Sequence, residues 1–184
     1  FCAAARIPEA RFTGLELQPH IADFAEAGIA LNRLEGRAQI VRGDLLQSRA
    51  APGPFDAVIT NPPYTADGTA PPDASRAAAH MESADIKVWI DACLSRLRSQ
   101  GRLVMIHRAD RLSEIIAAMA GRVGDIRVLP VYPRAGEAAR RVLLDAGKGR
   151  KSPDTLLPGL VLHEADGAFT AAAQAVLRDG AGLS

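Results

Sequence analysis

Apolar positions in this chain fall into two alternating rhythms. Short runs crowded with apolar residues, RFTGLEL (11–17), AQIVRGDLL (38–46), FDAVIT (55–60) and RLVMIH (102–107), predict strands. Between them, Ile21, Phe24, Ala25, Gly28 and Ile29 recur at i, i+3, i+4, i+7 and i+8, the apolar face of a helix that Pro19 opens. Ile86, Trp89, Ile90, Cys93, Leu94 and Leu97 trace a second helical stripe, with Gly101 read as its stop. Leu112, Ile115, Ile116 and Met119 predict a third helix, with Asp110 as its candidate cap. DIRVLPVYP (125–133) and RRVLLDAGK (140–148) follow with no helix between them and predict an antiparallel strand pair. LVLHEADG (160–167) reads as one more short strand and TAAAQAVLRDG (170–180) as a closing helix. At the other end, FCAAAR (1–6) reads as the end of a helix halted at Pro8, so the chain begins inside an element.

Strands and helices alternating in this way predict an α/β fold: a Rossmann-like, doubly wound, mostly parallel sheet ending in an antiparallel strand pair. No repeat or linker divides the chain, so one domain is expected over 1–184. FDAVIT is mostly apolar, as a strand covered on both faces should be. Ligands of such sheets bind outside the carboxyl ends of the strands. Those ends carry Glu16, Asp44 and Asn61, expected to line one rim.

Composition narrows the classes. With 48% hydrophobic residues, 23% charged and a net charge of +1, the chain has the make-up of a soluble globular domain, not of a disordered segment. Two cysteines, Cys2 and Cys93, form neither a disulfide framework nor a zinc pattern, and Cys93 falls on an apolar stripe as core filling. No metal site is read. No apolar run approaches the ~18 residues of a membrane span, and the start lacks a signal-peptide core, so a cytoplasmic setting is expected. Charge is uneven, however. Arg134, Arg140, Arg141, Lys148, Arg150 and Lys151 face only Glu137 and Asp145 between positions 134 and 151. That stretch is either an RNA-phosphate patch or a solvated hairpin face, and charge alone leaves both open.

The chemistry concentrates after FDAVIT, where Asn61-Pro62-Pro63-Tyr64 can continue neither a strand nor a helix. A nucleobase or amide amine is a poor nucleophile, because its lone pair is delocalised into the adjacent π system. An asparagine side-chain oxygen and the carbonyl of Pro62 can each accept one of its N–H bonds and turn the lone pair toward an electrophile. Tyr64 offers a face on which a flipped-out base can stack, worth ~1–3 kcal/mol in single-strand binders. A carboxylate such as Glu16 at a strand tip suits ribose hydroxyls, though capping the next helix is the alternative. Asp44 could accept from an adenine amino group or simply belong to a Gly-Asp turn.

These residues resemble the S-adenosylmethionine-dependent methyltransferases that modify amino groups. Within them the chain resembles the bacterial valine-tRNA adenine-N6 methyltransferases, through TGLELQPHIADFAEAGIALN, VRGDLL, FDAVITNPPY, RAAAH, GRLVMIHRADRLSEI and LPGLVLHEADGAFTAAAQAVLR. The resemblance implies S-adenosylmethionine as cofactor, with Glu16 and the adjoining Leu17 at its ribose and Asp44 and Leu45 at its adenine. It implies that Asn61 and Pro62 grip the target amine beside the cofactor and that Tyr64 stacks on it. Pro63, Arg76 and His80 would order or contact the tRNA substrate, and the charge of Arg140, Arg141, Lys148 and Arg150 suits its phosphates. Arg76 and His80 also fit a solvated helix start. The family's first strand and glycine-rich loop have no counterpart after Phe1, so the chain is read as incomplete at its N-terminus. Two other enzymes remain: a protein-glutamine methyltransferase acting on release factors, and a methyltransferase for the guanine exocyclic amine, which more often carries phenylalanine in place of Tyr64. A non-catalytic RNA-binding domain is the rival from another class.

Overall fold

A computed structural model describes residues 1–47, 53–62 and 85–183. Pro63, Tyr64, Arg76 and His80 lie outside the described residues. The chain forms two units, Phe1–Gly53 and Pro54–Ser184, each built around its own sheet.

In the first unit, α1 (Cys2–Arg6) leads into β1 (Phe12–Glu16), α2 (Pro19–Leu31) and β2 (Ala38–Arg42). β1 and β2 pair in parallel, from Phe12 opposite Ala38 to Glu16 opposite Arg42. Ala4, Ile29 and Leu34 are buried together against Phe12, Ala38 and Ile40. Of the apolar stripe predicted on α2, Ile29 is buried while Phe24 is 73% exposed. The described part of this unit supplies too few elements to cover the whole stripe.

The second unit contains β3 (Phe55–Thr60), α3 (Ile86–Ser95), β4 (Leu97–Arg108), a 3-10 turn (Ala109–Arg111), α4 (Leu112–Met119), β5 (Val123–Arg134), β6 (Arg141–Lys148), β7 (Thr155–Leu156), β8 (Leu160–His163) and α5 (Ala171–Leu177). Its sheet runs β3-β4-β6-β5-β7, with β8 also paired to β5. β3 and β4 are parallel, and β6 lies antiparallel between β4 and β5, as its place in a strand pair predicts. Ile90, Cys93 and Leu94 of α3 and Ile115 and Met119 of α4 are buried with Leu103, Met105 and Leu144 of the sheet.

Three local expectations are corrected. Gly101 does not stop a helix: α3 ends at Ser95, Leu97 already belongs to β4, and Gly101 lies inside that strand. A Cβ at Gly101 would stand 3.0 Å from the carbonyl oxygens of Asp56 and Arg98, and the β3–β4 register shifts between Phe55 and Ala57. The glycine therefore permits close backbone approach at a bulge. Asp110 does not cap α4, because the 3-10 turn intervenes and Arg108 holds its carboxylate. β3 is covered on its α3 side only: Ile59, on the opposite face, is 66% exposed among the described residues. The two-residue β7, too short to leave a pattern, was not foreseen.

Candidate active site

Two carboxylates mark the first unit. Glu16 ends β1, and Asp44 follows β2 by two residues. The ladder continues past the strands, since Gly43 N donates to the Glu16 carbonyl at 2.9 Å. A strand separation of ~4.8 Å and a rise of ~3.3 Å per residue put the two α-carbons about 8 Å apart. One oxygen of each is fixed by the backbone two residues on. Glu16 Oε1 accepts from Gln18 N at 2.8 Å, and Asp44 Oδ1 accepts from Leu46 N at 2.8 Å. The second oxygen of each makes no hydrogen bond among the described residues. Glu16 thus steadies the start of α2 and still presents an acceptor, so its two readings are compatible. Both carboxylates are half-buried, as are Leu17 and Leu45 beside them. Anchored, partly desolvated acceptors of this kind fit the ribose hydroxyls and adenine amine of a nucleoside cofactor.

The acceptor motif starts in the second unit, where β3 ends at Thr60 and Asn61-Pro62 follow. Asn61 is exposed and Pro62 is buried. The residue before them is held from below. Trp89 Nε1 on α3 donates to Thr60 Oγ1 at 2.9 Å, and the Thr60 hydroxyl lies beside the Cys93 sulfur. Burial pushes the Cys93 thiol up to about 12, so it is a packing group, not a nucleophile. The indole is only 7% exposed, and its N–H serves to orient the strand end. Sequence reasoning placed Trp89 and Cys93 on an apolar stripe and missed that both meet Thr60. Their spacing at i and i+4 on the helix was the available signal.

Next along the same strand ends lies His107, the penultimate residue of β4, with 3% of its surface exposed. Burial, and then the Arg111 charge, hold its pKa below the usual imidazole value.

The basic residues divide. Arg140 and Arg141 stand at the start of β6, level with the end of β4, because Arg141 pairs with Arg108. Lys148 and Arg150 stand at the other end of β6, about 24 Å away at ~3.4 Å per residue. Lys148 Nζ donates to the Leu94 and Leu97 carbonyls at 2.7 and 2.6 Å, closing the end of α3. Arg150 bonds Asp125 at 3.1 Å. The structure therefore brings Glu16 together with Asp44, places Asn61 and Pro62 at one strand end, and separates the expected basic patch into two groups. Among the described residues no helix is long and apolar enough to cross a membrane, and no cluster of three His, Cys, Asp or Glu could hold a metal.

The N-6 DNA methylase family matches residues 3–127. The chain belongs to this family. It is 31% identical over 138 residues to a tRNA1(Val) (adenine(37)-N6)-methyltransferase of Porphyromonas gingivalis, covering 69% of this chain and 54% of that relative. An enzyme of the same name from Aeromonas salmonicida is 29% identical over 158 residues, 85% of this chain and 65% of its own. This chain thus spans about half the length of the first of these relatives. Among solved structures, a predicted O-methyltransferase from Agrobacterium tumefaciens superposes with a TM-score of 0.79 at 27% identity, over 99% of this chain and 84% of that one. The N-methyltransferase NodS of Bradyrhizobium japonicum, solved with S-adenosyl-L-homocysteine, shares the fold at a TM-score of 0.51 and 13% identity, over 76% and 67% of the two chains. The Rossmann-like α/β fold follows from these matches.

Proposed function

We propose that this protein transfers a methyl group from S-adenosylmethionine to the exocyclic N6 amine of an adenine in tRNA. The observation that carries the reading is Asn61-Pro62 at the carboxyl end of a strand whose last residue, Thr60, is fixed by Trp89. The names of the relatives support adenine and tRNA.

The cofactor supplies an electrophilic methyl carbon on a sulfonium. Glu16 and Asp44 would hold its ribose and adenine through the carboxylate oxygens left over from their backbone bonds. The Asn61 amide oxygen and the Pro62 carbonyl would each accept one N–H of the target amine. This would aim the nitrogen lone pair and limit its delocalisation into the ring π system. With the methyl accepted, the amine held by Asn61 and Pro62 would give up one proton to solvent. Tyr64 would stack on the flipped base, with Pro63, Arg76 and His80 ordering the substrate. Lys148 and Arg150, bound to the body of the second unit, are set aside as primary RNA contacts in this reading. A cytoplasmic location accompanies a tRNA substrate.

Methyl incorporation from labelled cofactor into unmodified tRNA, DNA and a release-factor protein, followed by nucleoside analysis, tests the proposal. N6-methyladenosine in tRNA is expected; a methylated glutamine or an O-methyl product would overturn it. Asn61→Ala should abolish transfer with cofactor affinity within a few-fold of the parent, because Asn61 grips the acceptor. Glu16→Ala should weaken cofactor binding at least tenfold, since each charge-assisted bond lost is worth ~1.5–3 kcal/mol. Calorimetry showing the two effects interchanged would reverse the assigned roles.

A further inference from the structure

Where β4, the 3-10 turn and the connection between β5 and β6 meet, the second unit opens a groove of about 690 Å³. Arg108, Asp110, Glu137, Arg140 and Arg141 line it, with two alanines between Glu137 and Arg140. Both carboxylates are already engaged: Arg108 holds Asp110, and Arg134 holds Glu137 at 3.4 Å. Arg140 is exposed and makes no ion pair among the described residues. Its backbone is fixed on both sides, with its N–H donating to the Val131 carbonyl at 3.0 Å and its carbonyl accepting from Ala109 N at 3.0 Å. A guanidinium on a rigid backbone, beside a second exposed arginine and small neighbours, is organised for an anion before one arrives.

The groove also lies on the side of the unit where Asn61 emerges. β3 and β4 run parallel with Thr60 opposite Met105, and Arg108 is opposite Arg141. Two strand spacings of ~4.8 Å and two to three residues of rise place Arg141 about 12 Å from Asn61. That is the length of three to four nucleotides at ~3.4 Å each along one strand.

We propose that this groove binds a backbone phosphate of the nucleic-acid strand that carries the target adenine, with Arg140 and Arg141 as its ligands. The inference rests on the nucleic-acid reading of the acceptor. It assigns phosphate contact to one end of β6 and leaves the Lys148 and Arg150 end structural.

The test measures affinity for unmodified tRNA against salt concentration for the parent, Arg140→Gln/Arg141→Gln and Arg140→Lys/Arg141→Lys. Methyl transfer and the cofactor dissociation constant are recorded alongside. Loss of both contacts should flatten the logarithmic salt slope by about 0.7 for each phosphate on a single strand and weaken binding by about tenfold or more. The KM for tRNA should rise while cofactor affinity stays unchanged, and the lysine pair should keep most of the parent's slope. Thermal melting checks that the variants are folded, and if the glutamine pair melts, the lysine pair against Arg140→Gln alone carries the comparison. A parent that methylates tRNA but gives parallel slopes and equal KM in all variants overturns the groove alone. A parent that methylates only a release-factor protein overturns the nucleic-acid reading itself, and the groove with it.

Discussion

Thr60→Val removes one hydroxyl from the end of β3 and keeps the branched shape of the side chain. One buried donor loses its partner. The Trp89 indole N–H, 2.9 Å from Oγ1 and on a side chain only 7% exposed, is left without an acceptor in the protein. A buried donor stripped of its acceptor costs ~1–3 kcal/mol, a measurable share of the ~5–15 kcal/mol that stabilises a typical domain. Urea unfolding of the parent, Thr60→Val, Trp89→Phe and the double variant closes a thermodynamic cycle. Trp89→Phe adds a loss of ring volume that the cycle subtracts, so the coupling should come out near 1 kcal/mol. Function should follow, because Asn61 is the next residue and an amine grip tolerates little displacement. The kcat for methyl transfer should fall by about tenfold or more in Thr60→Val with cofactor affinity unchanged. Zero coupling, together with a variant as stable and as active as the parent, would show that the Trp89–Thr60 bond positions nothing.

Lys148→Met should cost ~1–3 kcal/mol of stability, because it removes the ammonium that the Leu94 and Leu97 carbonyls share, while the salt slope of tRNA binding stays that of the parent. Denaturation paired with binding assays checks both halves. His107 supplies a pH signature. Its folded pKa lies below about 6.5, so the unfolded chain binds the extra proton as pH falls through that value, and stability drops on the acid side while being complete above it. His107→Gln should flatten the stability curve between about pH 7 and pH 5, whereas the limb near pH 4 should persist. The persistent limb belongs to Asp91, Asp110, Glu114 and Asp125, whose pKa values are held low by arginine or lysine partners.

Elements that bury a periodic stripe were legible from the chain. Ile86, Trp89, Ile90, Cys93 and Leu94 defined α3, and the absence of a helix between positions 125 and 148 revealed the antiparallel pair. Tertiary pairing decided the cases that were not. Gly101 has the same appearance as a helix stop and as a strand bulge, and only the approach of the Asp56 carbonyl distinguishes them. The basic stretch looked like one patch because six cations are close in sequence. A strand reverses that logic: residues at its two ends are as far apart as the strand is long. Asn61-Pro62 stood out in the chain because proline chemistry is local, whereas the Trp89–Thr60 bond just before it depends on a contact 29 residues away.

β6 follows β5 in the chain but is inserted between β4 and β5 in the sheet, pairing with β4 residues more than thirty positions earlier. Such pairings close long loops and form late in folding. Until β6 docks, β4 has β3 as its only strand partner, and the parallel β3–β4 ribbon has no registered neighbour to resist fraying. The proposed acceptor grip at the end of β3 would then gain its rigidity at the last step of assembly. A nascent chain released before Lys148 would carry Asn61 and Pro62 without a sheet stiff enough to hold them in the geometry the proposed amine grip requires.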